Sequence, residues 1–135
     1  MRLLYLFTLL ILFLNSCSKD QTVGPKEMWA MASKVEPNIE LVAIPNHEQD
    51  RRVLCSYYHQ EGCIPGSGKR IKVRLVELLV IQYETQKQAC EAAKRIGEWY
   101  YANWLFDDVS NEPVLQSYVV EAFNAKKPKP EDTCR

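Results

Sequence analysis

The sequence predicts an α+β domain in which about three antiparallel strands form a small sheet and about three helices pack on one of its faces. Three observations lead to this class. Residues 71–83 form a long run of apolar and β-branched residues, which is typical of a strand. Thr85 and Gln88 have the spacing of a helix capping box and precede an alanine-rich stretch. Pro113 then opens a second apolar stripe at helical spacing.

Two elements are predicted before the strand at residues 71–83. Pro25 suits the first turn of a helix that continues to residue 35, after which a proline-asparagine pair ends it. The apolar residues 39–44 predict a first strand, and residues 52–58 are a weaker candidate for a second one. Residues 62–68 contain three glycines and a proline, which predicts a loop.

The strand at residues 71–83 is predicted to change character along its length. Lys72 and Arg74 alternate with apolar residues, which predicts one exposed face, whereas beyond Val76 both faces become apolar and should be covered. Together with the helix that follows Thr85, this strand resembles half of a ferredoxin-like unit over about thirty residues, as an analogy of fold alone. No family is recognised for the domain as a whole.

The helix after Thr85 is predicted to continue as far as Trp104 and to be broken by residues 107–111. Its apolar stripe consists of Ala89, Ala92, Ala93, Ile96, Tyr100 and Trp104. On this helix Tyr101 and Leu105 fall toward the polar side, next to Phe106. These three residues are the candidate binding surface, where a partner protein, a glycan or a lipid surface could dock. The alternative is that they pack in the core.

The charge balance excludes one class of partner. The chain of 135 residues carries 17 basic and 17 acidic residues, so it is close to neutral. A nucleic acid or another polyanion as partner would call for a strongly basic surface, so neither is expected. After the N-terminal segment no second long apolar run occurs, which predicts one soluble domain over residues 25–125.

The first seventeen residues carry an export signal. Arg2 is followed by an uncharged run that is long enough for a signal peptide and too short for a permanent bilayer span. Leu14, Ser16 and Cys17 then stand in the pattern of the lipobox, and this segment resembles the signal peptide of bacterial lipoproteins. An ordinary secretory signal or a short membrane anchor is the alternative.

The resemblance to lipoproteins implies where the protein lies. Residues 1–16 would be removed, and Cys17 would carry diacylglyceryl and palmitate-type acyl groups that hold it to a membrane. Residues 17–24 would then be the lipidated cysteine and a flexible tether. In such proteins an aspartate after the cysteine favours the inner membrane, so Ser18 favours the outer membrane, with the domain facing the periplasm.

Four cysteines remain once Cys17 is assigned to the lipid, and they predict two disulfides in an oxidising compartment. Three pairings are open. We favour Cys55 with Cys63 and Cys90 with Cys134, because local closure requires no further assumption about the fold. The lysine- and proline-rich residues 126–135 are predicted to be a loose tail that Cys134 could tie down.

The other candidate sites for metal binding, phosphate binding or catalysis rest on incomplete sequence patterns. Cys55, His59 and Cys63 have a spacing that could hold a metal ion, with a disulfide and an exposed histidine as the alternative. Residues 66–69 resemble a phosphate-binding loop, but a strand rather than a helix is predicted after them. Asp107 and Asp108 are adjacent and would end a helix or hold a turn rather than form a catalytic pair.

The sequence therefore predicts a membrane-anchored lipoprotein that is not an enzyme and has no cofactor. The leading hypothesis is an interaction or structural module of the bacterial envelope that binds an envelope protein or peptidoglycan. The alternative is a carrier of a small ligand or a metal that uses the loop between Cys55 and Cys63. A third hypothesis is an enzyme whose site assembles only in three dimensions.

Overall fold

The structure, a computed structural model, describes residues 20–44, 50–58 and 61–135. The described residues form a five-stranded antiparallel sheet and four helices, so the α+β class is confirmed and the expectation of about three strands was too low. In chain order the elements are α1 (Pro25–Val35), β1 (Glu40–Leu41), a 3₁₀ turn (Arg51–Val53), α2 (Cys55–Tyr58), β2 (Lys69–Val73), β3 (Val76–Gln82), α3 (Gln86–Ile96), β4 (Trp99–Tyr101), β5 (Trp104–Asp107) and α4 (Pro113–Phe123).

The strands lie in the order β1-β2-β3-β5-β4, and each neighbouring pair is antiparallel. Because β3 and β4 are both antiparallel to β5, they run in the same direction. Helix α3 connects them, so β3, α3 and β4 form a β-α-β crossover with β5 inserted between its two strands.

Both faces of the sheet are covered, which corrects the prediction that helices occupy one face only. Helices α1 and α4 pack on one face, against a core that includes Val80, Trp104 and Phe106. Helices α2 and α3 pack on the other face, where Ile81 and Leu105 are buried. The later part of the predicted strand at residues 71–83 was expected to be covered on both sides, and this is confirmed, since residues 78–81 are all buried.

The predicted strand at residues 71–83 is two strands joined by a tight hairpin. Val73 pairs with Val76, so Arg74 and Leu75 alone form the turn. Both have positive φ angles, 49° and 72°, as the two central residues of a type I′ turn require. This turn could not be predicted from Arg74 and Leu75, because such turns are usually built from asparagine and glycine.

Helix α3 is shorter than predicted. Its capping box is confirmed: the Thr85 hydroxyl accepts from the Gln88 backbone N–H, and the Gln88 side chain accepts from the Thr85 N–H. The helix ends at Ile96, because Gly97 adopts a left-handed conformation with φ 71° and donates its N–H to the Ala93 carbonyl. The residues that follow form the hairpin β4–β5 instead of further helical turns.

The other elements differ in extent. Helix α1 occupies the predicted residues, and the strand predicted at residues 39–44 is reduced to Glu40–Leu41. Residues 45–49, which follow that predicted strand, lie outside the described residues. Residues 52–58 do not form a strand; they belong to the 3₁₀ turn and to α2. In the described part of the chain no helix is long and apolar enough to cross a membrane.

The C-terminal residues are fixed to the domain rather than forming a loose tail. Tyr100 and Lys126 exchange two backbone hydrogen bonds of 2.9 Å, which cover the outer edge of β4. Pro128 is buried, and Cys134 is bonded to Cys90 of α3. The domain therefore includes residues beyond the predicted boundary at residue 125.

Candidate functional site

The segment immediately before α1 is held by the end of the sheet. Val23 is 4% exposed, and its N–H donates to the Asn103 side-chain oxygen at 2.7 Å. Its carbonyl accepts from the Trp104 indole at 2.8 Å and from the Gln82 side-chain amide at 3.3 Å. A segment with this many hydrogen bonds to two strands is part of the domain and not a flexible linker.

The contacts of this segment continue back to Asp20, the first described residue. The Asp20 carboxylate accepts from the backbone N–H of Gln86 at 3.0 Å, and Gln21 donates to the Tyr101 hydroxyl at 2.9 Å. The flexible tether predicted over residues 17–24 is therefore wrong for residues 20–24. Cys17 and Ser18, the predicted lipidation and sorting residues, lie outside the described residues.

A groove opens beside this segment, between the first turn of α1 and the sheet, with a volume of about 210 Å³. Its most buried lining residues come from α1 and three strands: Met28, Ile71, Val80 and Trp104. At its rim Trp29 is half-buried, Leu41 is 55% exposed and Lys69 is exposed. Its lining is almost entirely apolar, as is common for ligand sites.

The polar groups of the groove are largely bonded to one another. The Ser67 hydroxyl accepts from the Gln82 backbone N–H at 3.1 Å and lies 3.3 Å from the Gln82 carbonyl, to which it donates. The Gln82 side-chain amide is bonded to the Val23 carbonyl. No carboxylate of the described residues lies within ion-pair distance of Lys69. The groove thus offers an apolar surface with one cationic group at its rim.

A second polar cluster joins the 3₁₀ turn and α2 to the end of β5. The Arg52 guanidinium donates two hydrogen bonds of 2.7 Å to Asp108 and one of 3.0 Å to Asp107. The Tyr58 hydroxyl donates to Asp107 at 2.9 Å. These hydrogen bonds, first that to Asp108, raise the pKa of Arg52, while burial and the nearby Asp107 charge raise that of Tyr58.

This cluster is built to hold segments together rather than to react. Asp107 was predicted to end a helix or hold a turn; it ends strand β5, and its side chain accepts from the Asp108 N–H in the turn that follows. Its other carboxylate oxygen accepts from Arg52 and Tyr58. Burial raises the pKa of Glu98, and its carboxylate likewise accepts hydrogen bonds from Val109 and Ser110. Each of these buried carboxylates is thus occupied by protein donors.

The four cysteines pair as favoured from the sequence. Cys55 is bonded to Cys63 with an S–S distance of 2.04 Å, and Cys90 to Cys134 with 2.02 Å. Oxidation leaves Cys55 and Cys63 without thiolates, which removes two of the three ligands of the metal alternative. The third, His59, lies outside the described residues, and within those residues no cluster of three metal-ligating side chains occurs.

The candidate surface at Tyr101, Leu105 and Phe106 is not exposed. Leu105 and Phe106 are 0% exposed and face opposite sides of β5, where Phe106 stacks on Phe123 with ring centroids 4.8 Å apart. Tyr101 is half-buried and accepts from Gln21. The prediction failed because these residues lie on strands, whose side chains alternate between two faces, and not on one side of a helix.

The groove was missed from the sequence because its lining comes from segments that are distant along the chain. One signal was present: Trp29 is an aromatic residue outside the buried stripe of α1, which Met28 and Ala32 represent. Residues 66–69, which resemble a phosphate-binding loop in sequence, contribute Gly66, Ser67 and Lys69 to the lining of this groove.

No family model, no curated protein and no solved structure matches the chain. Its function is therefore inferred from its own residues and their geometry.

Proposed function

We propose that the protein is a lipoprotein of the bacterial envelope, anchored through Cys17, whose single domain acts as an interaction module beside one membrane. The observation that carries the proposal is the fixed segment at residues 20–24, which the sheet holds through Val23. Three residue steps separate Cys17 from Asp20, and an extended chain covers about 10 Å in that distance. A lipid on Cys17 would thus hold the domain close to its membrane.

The two disulfides support an exported location, since structural disulfides persist in oxidising compartments such as the periplasm. The lipobox-like residues before Cys17 supply the signal for its lipidation, and Ser18 favours the outer membrane over the inner one. An envelope protein or peptidoglycan is the partner that this placement favours.

A second candidate function is the binding of a small apolar ligand. The groove beside α1 favours it, because a concave apolar surface with few free polar groups suits such a ligand. From the sequence, such a ligand was expected at the loop between Cys55 and Cys63. Gly66 and Ser67, just after that loop, contribute to the groove, whereas the two cysteines are bonded to each other.

Metabolic labelling with radioactive palmitate tests the anchor. The wild-type chain should carry the label and sediment with membranes, whereas Cys17→Ser should lose both, because serine lacks the thiol that receives the diacylglyceryl group. Ser18→Ala is the matched control and should keep the label. Label on Cys17→Ser, or sedimentation of that variant with membranes, would contradict the proposal.

A further inference from the structure

We propose that the groove between α1 and the sheet takes up a segment of one acyl chain of a lipid from the bilayer to which the protein is anchored. The inference rests on the proposed function for its source of lipid. The groove itself is a feature of the described residues, and three of its properties restrict the occupant: its size, its polar groups and its position.

The size of the groove suits a segment of a slender apolar chain. Its volume of about 210 Å³ exceeds the roughly 150 Å³ of an apolar cavity that accepts benzene, but it is below the roughly 300–1,000 Å³ of sites for drug-sized ligands. Met28, Ile71 and Val80 offer aliphatic side chains along its depth. Each methylene that leaves water for such a surface strengthens binding about fourfold.

The polar groups of the groove argue against a peptide as occupant. Backbone N–H and C=O groups that leave water must find hydrogen-bond partners. The Ser67 hydroxyl is already bonded to Gln82, and the Gln82 amide to Val23. A hydrocarbon chain requires no such partners, so it fits this lining where a polypeptide would lose hydrogen bonds.

The charge at the rim indicates the head group. Lys69 is exposed at the groove, and no carboxylate of the described residues lies within ion-pair distance of it. A phosphate at the end of the bound chain could approach this ammonium group. The chemistry therefore points to a phospholipid acyl chain, with Lys69 near the phosphate.

The position of the groove brings it to the bilayer. Gln82 and Trp104 line the groove and also hold Val23, so the groove and the fixed N-terminal segment share one end of the sheet. Pro25, which lines the groove, directly follows that segment. Asp20, the first described residue, contacts Gln86 just beyond the end of β3, so it lies at the same end of the sheet as the groove. An anchor three residues before Asp20 would turn this end of the domain toward the source of acyl chains.

Photo-crosslinking in proteoliposomes tests the inference. The full chain, purified from membranes, is reconstituted in vesicles of phosphatidylethanolamine and phosphatidylglycerol with tritiated acyl chains, and benzoyl-phenylalanine replaces Leu41 at the groove rim. Irradiation should transfer several-fold more label to this chain than to one with the probe at Lys87. Lys87 is an exposed residue beside Gln86, which contacts Asp20 at the same end of the domain, so it controls for simple proximity to the bilayer.

The head group is tested by charge reversal in the chain with the probe at Leu41. Lys69→Glu should lower the label about threefold, because an attraction is replaced by a repulsion at an exposed site. Lys127→Glu makes the same change in net charge at an exposed residue outside the groove lining and should leave the label unchanged. Equal effects of the two variants would overturn the role of Lys69.

The outcomes separate this inference from the proposed anchor. A chain that floats with the vesicles but shows equal label at Leu41 and Lys87 would overturn the groove inference and leave the anchor in place. A cross-linked dimer at Leu41 would overturn it in favour of a second copy of the chain. A wild-type chain that fails to float would instead contradict the proposed anchoring.

Discussion

At the scale of single residues, two buried tyrosines on the α3 side of the sheet differ in what their hydroxyls contact. Tyr58 donates to the Asp107 carboxylate, which also accepts from Arg52. Tyr83 is 0% exposed, and its hydroxyl has no hydrogen-bond partner among the described residues. Burial raises the pKa of Tyr83 to about 12, so at neutral pH it keeps a proton that it donates to none of them.

The two tyrosines form a matched pair for mutation to phenylalanine. Tyr58→Phe should lower the free energy of unfolding by about 1.5–3 kcal/mol, because it removes a hydrogen bond to a charged acceptor. Tyr83→Phe should leave it unchanged or raise it by up to about 1 kcal/mol, because an unpaired buried hydroxyl is lost. Urea unfolding followed by tryptophan fluorescence measures both. A loss at Tyr83 as large as that at Tyr58 would reveal a partner such as a buried water.

At the scale of elements, the sequence predicted where α3 begins but not where it ends. The capping box at Thr85 is a local signal, so it survived in the structure. The apolar stripe beyond Ile96 misled the prediction, because β4 and β5 are apolar on both faces and continue to supply residues at helical spacing. Gly97, which the stripe runs through, was the signal that the helix stops.

The hairpin between β2 and β3 shows a different limit to what can be predicted from the sequence. Arg74 and Leu75 adopt left-handed conformations that cost non-glycine residues roughly 1–2 kcal/mol each, and the pairing of the strands holds them there. The core residues of the two strands, such as Ile71 and Val80, provide that support through tertiary contacts. Local propensity could not reveal a turn that only the packed sheet stabilises.

Relief of the backbone strain at Leu75 should appear as a change in the free energy of unfolding. Leu75→Gly should raise the free energy of unfolding by about 0.5–1 kcal/mol, because glycine adopts φ 72° freely and loses part of that gain through its flexible unfolded state. Leu75 is 87% exposed, so little packing is lost. Leu75→Ala removes the same side chain and keeps the strain, so it should bring no gain in thermal or urea unfolding. An equal gain from alanine would assign the effect to the exposed leucine and not to the backbone.

At the scale of the whole molecule, both ends of the described domain are fastened to the sheet. The N-terminal segment is bonded through Val23 to Asn103 and Trp104, and the C-terminal segment is bonded through Lys126 to β4. The sequence predicted a flexible N-terminal tether and a loose C-terminal tail that Cys134 could tie down, because the polar and proline-rich composition of these ends gives no sign of further long-range contacts. The groove could not be predicted either, because Met28 and Trp104, which line it, are far apart along the chain and meet only in the folded domain.

The two disulfides were predictable because four cysteines allow few pairings. The lengths of the loops that they close rank their contributions to the free energy of unfolding. Cys55 and Cys63 are 8 residues apart, whereas Cys90 and Cys134 are 44 apart and tie the C-terminal segment to α3. A longer closed loop removes more entropy from the unfolded chain. On this basis the short bridge contributes about 2.5 kcal/mol and the long one about 4 kcal/mol.

Paired alanine variants test this ranking. Replacement of Cys90 and Cys134 by alanine should lower the free energy of unfolding by more than replacement of Cys55 and Cys63, by a margin of about 1.5 kcal/mol in urea titrations. The same change should speed amide hydrogen exchange at Tyr100 and Lys126, whose mutual hydrogen bonds hold the C-terminal segment that ends near Cys134 to the sheet edge. The Cys55 and Cys63 variant is the control and should leave exchange at these two amides unchanged. A larger loss from the short bridge would show that α2, with Tyr58 and its bond to Asp107, depends on that bridge more than chain entropy implies.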